Sequence, residues 1–164
     1  MCIRDRFVAV ANTDIAFIHS GSLRKDLPAG AVRLVDLLDT YPFVDDVIVM
    51  EMSGEQIRRA LEQSFTLERG LLQVSGLDVI YDTTQPEGQR LVSVEYKGVP
   101  VADDHVLTVA APGFLAEGGD LYTVFAEADA IRNAGKVSDA AAAWFAGHEV
   151  VAVPSRGRQV DIGQ

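Results

Sequence analysis

The chain has 164 residues, enough for one domain with a sizeable buried core. Apolar residues make up 48% and charged residues 23%, a balance that excludes disorder along the whole length. Asp and Glu outnumber Lys and Arg by 24 to 14, and the resulting charge of −10 repels a phosphate backbone, which argues against nucleic acid as a partner.

Taken in chain order, Met1 to Arg6 lacks the apolar core of an export signal and sits oddly before the apolar run at 7–11. Residues 1–6 are therefore expected to be a foreign or mis-assembled leader, with 7–153 forming the domain. Ile15-Ala16-Phe17-Ile18 reads as a short buried strand that ends in the small-residue loop His19-Ser20-Gly21-Ser22. Apolar residues at 34, 37 and 38 have helical spacing, and Pro42 stops that helix. A strand over 47–52 leads to Ser53, and Gln56 three residues later completes a capping box. The helix so started is expected to run to about Phe65 and bury Ile57, Ala60, Leu61 and Phe65.

Leu72–Tyr81 and Leu91–Tyr96 alternate as strands, Lys97-Gly98 makes a turn, and Val106–Ala111 gives another strand. Pro112–Asp120 is a glycine-rich loop, a last helix starts at Ser138, and residues 154–164 read as a solvated tail. Hairpins and βαβ-like pairs together predict an α+β fold, a mixed β-sheet with packed helices. No apolar stretch reaches the roughly 18 residues of a membrane span. Cys2 is the single cysteine, so an intrachain disulfide and a Cys-based zinc site are both excluded.

The chemistry-bearing residues stand in the loops. His19, His105 and His148 are far apart and lack metal-ligand spacing, and neither a G-x-S-x-G elbow nor a Walker loop is present. A self-contained catalytic site is not expected, and no catalytic or metal-ligating residue is assigned. Arg24 follows the small-residue loop, where its guanidinium fork suits a phosphate or carboxylate, or else simply faces solvent. Phe43 and Phe114 lie in two separate loops and either sandwich a planar base or plug the core beneath them. Asp120 can accept from ribose hydroxyls or organise its own loop, and Gly76 marks a bulge or a close approach.

Five stretches in order carry a family resemblance: 14–24, Tyr41-Pro42-Phe43, Met52–Gln56, Leu72–Leu77 and Gly113–Asp120. They resemble the C-terminal, substrate-binding domain of the 5′-nucleotidase and UDP-sugar hydrolase family. The resemblance implies that Phe43 and Phe114 stack on a base, Arg24 reaches the phosphate, Asp120 the ribose, and Gly76 lines the pocket. It further implies that an N-terminal metallophosphatase domain with two divalent metal ions does the hydrolysis. This chain would hold no cofactor of its own, and the protein would be periplasmic or extracellular. His19 and Gly113 stand where the family usually has Asn, and an upstream helix with a further Arg is absent. The alternatives are a stand-alone, non-catalytic binding module, or the same architecture acting on cyclic nucleotides, UDP-sugars or a sulfur substrate.

Overall fold

The computed structural model describes residues 8–9, 11–66, 70–150 and 157–163. The leader expected at 1–6 lies outside the described residues.

Two sheets organise the chain. The larger has the strand order β3-β1-β7-β2-β8, built from β1 (Ile15–His19), β2 (Asp46–Ser53), β3 (Leu72–Ser75), β7 (Val106–Pro112) and β8 (Asp129–Lys136). Within it β1 runs parallel to β7 but antiparallel to β3, and β2 runs antiparallel to both β7 and β8, so the sheet is mixed. The smaller has the order β6-β5-β4-β9, from β4 (Leu77–Tyr81), β5 (Leu91–Tyr96), β6 (Val99–Pro100) and β9 (Gln159–Asp161). The helices are α1 (Leu34–Thr40), α2 (Gly54–Ser64), the single turns α3 (Gly113–Ala116) and α4 (Thr123–Ala126), and α5 (Val137–Ala146). The fold is α+β.

Side chains on a strand alternate between faces, and here both faces of the large sheet are covered. Ile15 and Phe17 of β1, Met50 and Met52 of β2, and Leu107 and Val109 of β7 join one core with α2 and the small sheet. Ala16 and Ile18, Val47 and Val49, and Ala110 join a second core with Tyr41, Val137 and Ala140. All five residues of β1 are therefore buried, which explains its unbroken apolar run.

The capping box forms as expected. The Gln56 amide N–H donates to Ser53 Oγ at 3.2 Å, and the Ser53 N–H to Gln56 Oε1 at 2.9 Å. Ile57, Ala60, Leu61 and Phe65 are all buried beneath α2, and Phe65 stacks on Tyr81 with centroids 4.3 Å apart.

Two expectations are corrected and one strand was not expected. Residues 72–81 form two strands in different sheets, because the chain breaks at Gly76 (φ +81°), where a Cβ would stand 2.5 Å from the Asp14 carbonyl oxygen. The end of the chain is more than a solvated tail: Gln159–Asp161 pairs in parallel with β4. Finally, β8 had no expectation at all. Its sequence carries no apolar alternation, because an exposed edge strand has no face to bury.

Candidate functional site: a cleft at the C-terminal end of β1

The strand β1 delivers His19 to the end of the large sheet, and a 3₁₀ turn over Ser20–Ser22 redirects the chain. Arg24 is pinned there by its backbone N–H, which donates to the Thr40 carbonyl at 2.9 Å. Its guanidinium carbon lies 5.3 Å from the centroid of the Phe43 ring, a cation–π contact that steadies both groups. Tyr41 also meets Phe43 edge-on, with centroids 5.4 Å apart. Phe43 is 41% exposed and Phe114 51% exposed, so neither ring plugs the core.

Phe114 rides on α3, directly after β7. Its ring lies against Gly119, where a Cβ would come within 2.6 Å of two ring carbons and 2.5 Å of the Phe114 carbonyl oxygen. Only glycine leaves that seat open. Asp120 follows with left-handed backbone angles (φ +51°, ψ +31°), and its Oδ2 stands 3.6 Å from His19 Nδ1. Strain of this kind persists where the surroundings dictate it, and here Gln63 of α2 donates to the Leu121 carbonyl at 2.7 Å.

Together these segments enclose a cleft of about 640 Å³ lined by His19, Arg24, Phe43, Phe114, Asp120 and Asp45, among others. Four of the five residues singled out from the sequence thus share one cleft. Gly76 does not line it; it sits at the strand switch against Asp14 and Ile15.

Three groups escaped sequence reasoning. Asp45, two residues after Phe43, bridges to the second loop by accepting from the Phe114 N–H at 3.3 Å. Its charge, after burial, pushes the Tyr41 hydroxyl up from the ordinary tyrosine range. Glu117 also lines the cleft. Tyr122 packs fully buried beneath it, its ring 6.3 Å from His19, and burial together with the Asp120 charge raises its pKa. The His19 Nε2 and the Tyr122 hydroxyl are buried and find no hydrogen-bonding partner among the described residues. The spacing of Asp45 from Phe43 was a readable signal, whereas nothing local marked Tyr122.

A larger cleft of about 950 Å³ lies between the 25–34 segment and α5. Its cations are already engaged, Lys25 by Asp39 at 2.9 Å and Arg33 by Asp36 at 3.0 Å. Among the described residues no three His, Cys, Asp or Glu gather as a metal site, and no helix is long and apolar enough to cross a membrane.

The family model described as 5′-nucleotidase, C-terminal domain, matches residues 1–127. The chain belongs to that family. Among curated relatives, the trifunctional nucleotide phosphoesterase protein YfkN of Bacillus subtilis is 31% identical over 127 residues, covering 72% of this chain and 9% of the relative. The snake venom 5′-nucleotidase of Naja atra is 30% identical over 127 residues, covering 68% of this chain and 24% of the relative. Among solved structures, the 5′-nucleotidase precursor of Thermus thermophilus superposes with a TM-score of 0.92 at 27% identity, over 99% of this chain and 34% of that one. This member of the family therefore spans about a third or less of the relatives it matches. The cleft lies entirely within the matched span.

Proposed function

We propose that the cleft binds the nucleoside part of a nucleotide on behalf of a 5′-nucleotidase-type phosphoester hydrolase. The observation that carries this reading is the pair of exposed rings, Phe43 and Phe114, on separate segments of one cleft that also holds Arg24 and Asp120. Two exposed rings beside a cation and a carboxylate match a flat heterocycle joined to a hydroxylated, phosphorylated sugar.

In this reading the rings of Phe43 and Phe114 stack on the base, and Asp120 accepts from ribose hydroxyls. Arg24, already oriented by Phe43, offers its donor fork to the phosphate. That local cation is needed because the chain as a whole carries −10 and repels an anion at long range. The hydrolytic step belongs to a metallophosphatase portion of the protein with two divalent ions, to which this chain contributes no catalytic residue. Export to the periplasm or the extracellular space goes with that family role. A small inorganic sulfur substrate is disfavoured, since it offers the two rings nothing to stack on.

Calorimetric titration of the chain with AMP and adenosine tests the reading. Binding is expected, and Phe114→Ala should weaken it by roughly three- to tenfold, the size of one lost stacking contact. An isotherm that Phe114→Ala leaves unchanged would remove the ring from the site.

A further inference from the structure

The charged groups of the cleft are out of balance. Glu117 lines it from the end of α3, its side chain exposed and without an ion pair or hydrogen bond among the described residues. Asp45 lines it from the segment that carries Phe43, and the groups that bind its carboxylate are neutral: the Tyr41 hydroxyl, the Asp46 N–H and the Phe114 N–H. Those bonds hold the charge in place without cancelling it. Against the two carboxylates stands Arg24, the only lysine or arginine among the described residues that line the cleft. Lys136 comes near Asp45, but its ammonium is paired with Asp46. Asp120 has His19 beside it at 3.6 Å, so Glu117 and Asp45 carry the surplus.

We propose that this surplus makes the cleft select nucleosides and nucleoside monophosphates over di- and triphosphates, and that Glu117 is the residue that sets the limit. The proposal rests on the nucleoside-binding reading above and adds which phosphate esters that site takes. One guanidinium offsets part of one phosphate group, which carries about two negative charges at neutral pH. Each further phosphoryl group brings charge that meets no second cation among the described lining residues and is repelled by two carboxylates.

The repulsion depends little on how the ligand lies. A cleft of about 640 Å³ is roughly as wide as the Debye length at physiological salt, about 8 Å, so a charge held in it feels Glu117 from any position. The chain as a whole adds no compensating attraction, since it carries −10. An independent observation also points to a ligand here: His19, 6% exposed, lines the cleft with a buried Nε2 that has no partner among the described residues.

Calorimetric titration of the folded chain with adenosine, AMP, ADP and ATP tests the proposal, in the absence of divalent ions that would mask phosphate charge. AMP should bind more tightly than ADP and ADP more tightly than ATP, with ATP roughly fivefold or more behind AMP. In Glu117→Gln, ATP should gain about fivefold, AMP about twofold and adenosine least, so that the gain rises with the charge of the ligand. A side chain acting through packing would shift all four alike. Raising the salt from about 50 to about 500 mM should narrow the gap between AMP and ATP on the unaltered chain, however well the variant folds. ATP binding the unaltered chain as tightly as AMP overturns the proposal. A gap insensitive to salt, or one that Glu117→Gln leaves unchanged, does the same, and in each case the nucleoside reading stands as long as adenosine binds. If neither adenosine nor AMP binds a chain shown to be folded by circular dichroism, the nucleoside reading falls and this proposal with it.

Discussion

Asp14 immediately precedes β1 and His19 ends it, and their surroundings treat them oppositely. The Asp14 carboxylate accepts from the Tyr96 hydroxyl at 2.6 Å, the Thr108 hydroxyl at 2.7 Å and the Thr108 N–H at 3.0 Å. Its own N–H donates to the Thr108 carbonyl at 3.1 Å and the Thr108 hydroxyl at 2.9 Å. This end sews β1 to β7 and to the small sheet. At the other end, among the described residues, the buried Nε2 of His19 (6% exposed) and the buried Tyr122 hydroxyl have no hydrogen-bonding partner, and two phenyl rings face solvent. Polar atoms buried in a finished interior are paired as a rule, so a cluster of bare ones marks a place arranged for something other than stability. The satisfied end and the cleft end are separated by the five residues of β1.

The comparison is broken most severely at Gly76, beside Asp14. Alanine there meets two penalties, a left-handed φ of +81° and a Cβ that lands 2.5 Å from a backbone oxygen and 3.2 Å from the Ile15 Cα. Neither neighbour is a flexible tip that can swing away. Gly76→Ala should destabilise the fold by about 3 kcal/mol, read from the urea midpoint. A midpoint equal to the parent would show that the satisfied end is not the rigid one.

A smaller effect is expected at Asp14 itself, and its pH dependence carries the information. Burial raises the pKa of this carboxyl, but the bonds from Tyr96 and Thr108 outweigh it and the net shift is downward. A folded pKa below the unfolded value, about 3.9, contributes stability that is complete above that pH and is lost as pH falls through the folded pKa. Asp14→Asn should therefore cost about 2 kcal/mol near neutrality, with the gap to the parent closing below about pH 4. The other carboxylates whose pKa values are also depressed, such as Asp36 at about 2, titrate in both proteins alike. Urea unfolding at several pH values checks this; a gap that stays constant down to about pH 3 would mean that the charge of Asp14 plays no part.

How much of this was legible follows the same division. Regular elements built on a repeating apolar pattern were readable: the buried run of β1, the Ser53–Gln56 capping box and the buried face of α2 each stand where the spacing puts them. What escaped depends on partners distant in sequence. Nothing in residues 72–81 distinguishes one ten-residue strand from two short ones, because the break is imposed by the Asp14 backbone pressing on Gly76. The α1 helix was correctly read from apolar positions 34, 37 and 38, yet Leu34 is 58% and Leu38 43% exposed, so spacing reports the helix without reporting its burial. In the cleft, Arg24, Phe43, Phe114 and Asp120 stood out as chemistry-bearing residues placed in loops. Tyr122 did not, since only the three-dimensional packing reveals that its hydroxyl is buried without a partner among the described residues.

Tyr122 is also where the comparison can be sharpened with the least disturbance. The side chain is fully buried, and its hydroxyl has no partner among the described residues, so the folded state carries the desolvation penalty of that group. Tyr122→Phe removes the hydroxyl and keeps the ring in its edge-on contact with Phe125, whose centroid lies 6.2 Å away. Stability should rise, by up to about 1 kcal/mol, as an unpaired polar group is replaced by an apolar one of nearly the same shape. If the hydroxyl serves the cleft through the neighbouring His19, nucleoside affinity should fall in the same variant. A gain in stability with a loss of binding is the signature of a residue kept for recognition. A loss of stability of similar size would show that the hydroxyl is satisfied in solution, through a buried water for instance, and the contrast between the two ends of β1 would then rest on His19 alone.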